Sequence, residues 1–142
     1  MAHQISVFIS HSWSYSDHYD TLSDWIFGDN WNVDGVPLTF YDQSVPKDDP
    51  IHNAPNAEAL KRAIFERIVN SHIVVIPTGM YVNYSDWIGT EIDGARHYSR
   101  PILAVDPWGQ KKSSSVVLQN AAHDVGWTKK GVVGGIWQLF KA

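Results

Sequence analysis

The chain has 142 residues, 44% hydrophobic and 18% charged, with a formal net charge of −4. That is enough to bury a core as one domain over residues 1–142, and the balance excludes a disordered chain. A negative charge with no basic tract argues against nucleic acid and acidic membranes as partners, and the lack of cysteine excludes disulfides, thiolate catalysis and thiolate metal sites. The apolar runs are far too short to span a membrane. Residues 1–9 lack the cationic start and long apolar stretch of a secretion signal, so a cytoplasmic location is expected. Seven tryptophans suggest exposed aromatic platforms as well as core.

Ile5-Ser6-Val7-Phe8-Ile9 reads as a first strand, ending in the polar turn Ser10-His11-Ser12-Trp13. Ser14 and Asp17 have capping-box spacing, and Tyr15, Tyr19, Leu22 and Ile26 predict a helix to about Phe27. Leu38 to Tyr41 is a short second strand, placed at an edge because Pro37 precedes it. Asp42 to Pro55 holds three prolines and no periodicity. A loop of that length is either a lid or binding loop, or a surface excursion without function. The second helix starts near Asn56, with Glu58 in its first turn and Leu60, Ile64 and Ile68 as its core line.

The run Ile73-Val74-Val75-Ile76, bounded by Pro77 and Gly79, predicts a strand buried on both faces. A loop from Thr78 to Tyr84 follows. Ser85 then caps a helix whose stripe is Ile88, Ile92 and Ala95. Pro101 to Val105 is a fourth strand, and Ser115 to Ala122 a short helix. Asp124 to Trp127 is a fifth, short strand, and Gly131 to Phe140 a closing helix despite Gly134 and Gly135.

Strand and helix thus alternate about five times, which predicts an α/β fold with helices on both faces of a parallel sheet. The expected architecture is a flavodoxin-like, doubly wound, five-stranded sheet in the order 2-1-3-4-5. Strands one and three are neighbours at the switch point of that order. Ser10–Trp13 and Thr78–Glu91 would then converge on one crevice at the carboxyl ends of the strands.

Trp87 and Glu91 lie four apart on the third helix and share a line along it. The same spacing also suits a packing tryptophan and a solvated glutamate. The dinucleotide fingerprint GxGxxG, the P-loop and the GxSxG elbow are all missing. The seven histidines show neither HxxxH nor HExxH spacing, so no metal is expected. Asp48-Asp49 is a carboxylate pair in a proline-rich loop, read from spacing alone as solvated. What remains is one carboxylate beside an aromatic. A carboxylate can stabilise a developing cation or hold sugar hydroxyls. One such group suffices when the leaving group already carries positive charge, as nicotinamide does in NAD. Trp87 could stack on a base or pyridinium ring, and backbone amides after Ser10 could hold a diphosphate.

Val7-Phe8-Ile9-Ser10-His11-Ser12 resembles the opening strand and turn of TIR domains. Tyr84-Ser85-Asp86-Trp87-Ile88-Gly89-Thr90-Glu91-Ile92 resembles their S-x-W-x-x-x-E segment. Asp48-Asp49-Pro50-Ile51, Arg100-Pro101-Ile102 and Val125-Gly126-Trp127 are similar to the TIR-like family that includes the ThsB proteins of bacterial Thoeris anti-phage defence. The resemblance implies a flavodoxin-like fold and Glu91 as the catalytic residue of NAD cleavage or cyclisation. It implies Trp87, Ser10, His11, Ser12, Tyr84 and Asp48 as substrate-binding residues, with residues 42–55 in the place of the loop that gates the site and mediates assembly. NAD enters as substrate, with no resident cofactor. The implied partners are further TIR domains, and a separate effector reached through a diffusible cyclic ADP-ribose-type product. Two other functions suit the same residues: a non-enzymatic scaffold working by self-association, and a nucleoside deoxyribosyltransferase-like enzyme. A flavodoxin-like binding module is a weaker fit.

Overall fold

Five parallel strands and one antiparallel edge strand build a single sheet, in a computed structural model that describes residues 3–10, 16–28, 30–43, 57–77, 85–106 and 115–141. In chain order these are β1 (His3–Ile9), α1 (Ser16–Phe27), β2 (Trp31–Val33), β3 (Val36–Asp42), α2 (Ala57–Val69) and β4 (Ile73–Pro77), then α3 (Ser85–His97), β5 (Ile102–Asp106), α4 (Ser115–Asn120), β6 (His123–Gly126) and α5 (Lys129–Lys141). The sheet order is β2-β3-β1-β4-β5-β6. With β2 set aside, the five parallel strands keep the expected order 2-1-3-4-5, so the doubly wound, flavodoxin-like architecture stands with six strands rather than five.

The sixth strand comes from a hairpin. Asp34 and Gly35 have φ of 53° and 80°, as a two-residue turn of the primed kind requires, and glycine takes that conformation at no steric cost. The turn pairs Val33 with Val36 and Trp31 with Leu38. Pro37 therefore sits inside β3 rather than ahead of it, opposite Asn32. The pair next to the turn's closing pair exchanges no ladder bonds, so a proline there costs the hairpin nothing.

The interior strands sort their side chains by twos, as a pleated strand must. Ile5, Val7 and Ile9 of β1, Ile73 and Val75 of β4, and Leu103 and Val105 of β5 pack with α1 and α5. Phe8, Val74, Ile76, Ile102 and Ala104 point the other way and pack with α2, α3 and α4. β4 is buried at all five positions, as expected for a run apolar on both faces. The four tryptophans whose side chains are described serve the α1/α5 face. Trp137 lies in its core, and Trp25, Trp31 and Trp127 pack against it. Trp31 donates its indole N–H to the Trp25 carbonyl at 2.9 Å, and the rings of Trp25 and Trp127 lie 5.3 Å apart. These four are packing residues rather than exposed platforms.

Helix boundaries follow local chemistry. α5 begins two residues earlier than the apolar periodicity indicated, because the Thr128 hydroxyl accepts from the Gly131 N–H at 3.1 Å and caps it. α4 is shorter than expected, and β6 begins one residue sooner, at His123. α3 ends at a left-handed Ser99 (φ 55°), and the Arg100 N–H closes back on the Ala95 carbonyl at 2.7 Å. α3 packs close to α2 at Gly94, where a methyl group would lie 2.9 Å from Ile68 Cδ1 and 3.0 Å from Phe65 Cδ1.

Candidate functional site

Ser10 follows β1 directly, and its N–H donates to the Val75 carbonyl at 2.8 Å. The ladder between β1 and β4 therefore runs one residue past the strand. Ser10 lies two residues beyond Phe8, so strand parity sends its side chain to the α2/α3 face. This is the carboxyl end of the sheet, beside the two strands where the winding reverses.

α3 brings Glu91 to the same place. Ile92 and Ala95 seat the helix on the sheet, and Glu91 lies one turn before Ala95 on the buried side. Ser10 and Glu91 are both 0% exposed. The Ser10 hydroxyl donates to Glu91 Oε1 across 81 residues of sequence. That overturns the alternative of a solvated glutamate. A carboxylate taken out of water must be met by donors, or it loses its charge. The serine hydroxyl is one such donor, from a separate element.

Of the other expected site residues, Trp87 lies on α3, one turn before Glu91, and its side chain falls outside the described part of the structure. His11, Ser12, Asp48 and Tyr84 lie outside the described residues. The structure thus brings together Ser10 and Glu91 and describes no contact for the rest. Among the described residues, no cluster of three histidines or carboxylates could hold a metal ion, and no helix is long and apolar enough to cross a membrane. The third buried polar side chain among the described residues, Ser71, donates to the Arg67 carbonyl at 2.9 Å and serves the end of α2.

The pair can do a limited set of things. A buried carboxylate at the mouth of a parallel sheet can stabilise positive charge as it develops on a substrate, and can hold a hydroxyl by accepting from it. Sequence reasoning named both residues. It did not foresee that one holds the other.

A family model, that of the Thoeris protein ThsB, TIR-like domain, matches residues 8–112 of this chain. The matched span starts within β1, takes in Ser10, Glu91 and all of β5, and stops before α4, β6 and α5. No curated protein matches the chain.

Proposed function

The chain belongs to the TIR-like domain family of the Thoeris protein ThsB, and from that premise we propose that it cleaves NAD at the nicotinamide–ribose bond, with Glu91 as the catalytic residue. The observation that carries this reading is the buried Glu91 carboxylate, held by Ser10 at the carboxyl ends of the strands. Nicotinamide in NAD is a cationic leaving group. It departs with the electron pair of the C1′–N bond and becomes neutral, so no general acid is needed. The ribosyl carbon left behind has oxocarbenium character, which a carboxylate stabilises. Water captures that carbon and releases its proton to solvent, giving ADP-ribose. Capture by a nucleophilic atom of the same molecule gives a cyclic product instead.

In this reading Trp87 stacks on the nicotinamide ring or a base, one helical turn from the carboxylate. His11, Ser12, Tyr84 and Asp48 would bind substrate, as the resemblance implies. A cyclic ADP-ribose-type product would then carry the signal to a separate effector in anti-phage defence, and neighbouring TIR domains would help to complete the site.

The test is product analysis. NAD is incubated with the protein and with Glu91→Gln, at dilute and high protein concentration, and products are separated and weighed. Nicotinamide plus an ADP-ribose species, lost in the variant while its fold persists, supports the reading, and the mass separates cyclic from linear product. Full turnover in Glu91→Gln overturns it.

A further inference from the structure

We propose that Ser10 is a positioning residue for Glu91: its hydroxyl fixes the plane of the carboxylate and supports its charge, instead of binding substrate. This rests on the catalytic assignment of Glu91 and deepens it. A serine hydroxyl has a single hydrogen to donate. Here that hydrogen is directed to Glu91 Oε1, so it is not available to a substrate oxygen at the same time.

Both partners stand on rigid elements. The Ser10 backbone is held to β4 by the bond from its N–H to the Val75 carbonyl, at 2.8 Å. Glu91 is held by a helix seated on the sheet through Ile92 and Ala95, and against α2 at Gly94. Two fixed frames joined through one carboxylate oxygen leave that group little freedom to turn. Both of its oxygens then have set directions, the condition for acting on a reacting centre without rearrangement. A donor on the carboxylate also favours its charged form, the form that stabilises a ribosyl cation.

The experiment compares Ser10→Ala with the wild type for nicotinamide release across pH. Unfolding by denaturant is followed in parallel for Ser10→Ala, Glu91→Ala and the double variant, because a glutamine amide oxygen would still accept from the hydroxyl. The expected kinetic result is a fall in kcat of about tenfold to a hundredfold, the worth of a hydrogen bond to a charged group. KM should stay within about twofold, because binding common to ground and transition states is untouched. The acid limb of the kcat profile should move to higher pH. A serine that only fills space would lower stability and leave kcat per folded molecule and the pH limb where they were, which overturns the proposal. A serine that binds substrate would raise KM, which overturns it too.

The unfolding cycle stands apart from turnover. Coupled effects of the two substitutions show that the hydroxyl acts on the carboxylate even if no nicotinamide is released, and the catalytic reading alone then fails. Additive effects overturn the positioning role whatever the turnover.

Discussion

The two ends of the β1–β4 pair are each closed by a polar side chain, and the two closures behave differently. At the carboxyl end, Ser10 and Glu91 meet out of reach of water. At the amino end, His72 stands just before β4 and exchanges both kinds of bond with Ser6. Its N–H donates to the Ser6 carbonyl at 2.8 Å, and its Nδ1 accepts from the Ser6 N–H at 2.9 Å. His72 is exposed on one side, with the Phe140 ring edge-on at 5.1 Å. Partial desolvation, then the Arg100 charge, lower its pKa from the ordinary 6.5. The contrast teaches that a polar bridge tunes a sheet end by its access to solvent. The buried one holds a carboxylate away from water. The exposed one trims the ladder and stays in exchange with the medium's protons.

The largest effect should come from the buried end. Glu91→Gln keeps size and removes charge, and nicotinamide release should fall on the order of a thousandfold, with the circular dichroism spectrum unchanged. Next comes the seating of the helix that carries the carboxylate. Gly94→Val would push into Ile68 and Phe65, and overpacking of this kind costs about 1–3 kcal/mol, read as a lower denaturant midpoint. If activity per folded molecule also drops, the α2–α3 contact sets the position of Glu91. If it does not, the Ser10 bond alone suffices.

At the exposed end the effects are smaller. Arg100 Nη2 donates to the Val69 carbonyl at 2.8 Å, at the end of α2. Arg100→Gln should cost about 1 kcal/mol and let His72 titrate closer to its ordinary value, followed by its ring proton resonances. The smallest effect is a pH dependence. The folded pKa of His72 lies below 6.5, so the unfolded chain takes up the proton first. Stability from this group is therefore full above about pH 6.5 and is lost as pH falls below it. A protonated Nδ1 cannot accept from Ser6. His72→Asn offers a side-chain oxygen that does not titrate there. Its unfolding midpoint should match the wild type near about pH 8 and decline less between about pH 7 and about pH 5. Identical slopes in the two proteins would dissociate the histidine from the ladder's pH response.

The parallel order was legible because each interior strand is a run of apolar, mostly β-branched residues, separated by one helical pattern. The antiparallel edge was not read, although Asp34-Gly35 is a strong turn signal. The strand before it, Trp31 to Val33, has only three residues, too few to show alternation. Pro37 reads in the sequence as standing ahead of the strand, and its place within the hairpin depends on which side of the ladder lacks a bond. Glu91 was legible from its spacing to Trp87. Its burial was not, because a helix seats itself by its whole stripe, and Glu91 shares a side with Ala95 as readily as with Trp87. No periodicity could pair Ser10 with a residue 81 positions away. Convergence of the first and third parallel strands at the switch point was the available hint, and it named the neighbourhood without naming the bond.

The alternation of side chains along β1 has a consequence for how such a chain can vary. Ser10 reaches Glu91 because it lies an even number of residues from Phe8. Substitutions among the apolar residues of this strand change packing by degrees. A single-residue insertion or deletion there would turn the serine to the opposite side of the sheet, toward α1 and α5, and leave the carboxylate without it. Lineages descended from such a protein are thus expected to exchange residues along this strand and to gain or lose length only outside it.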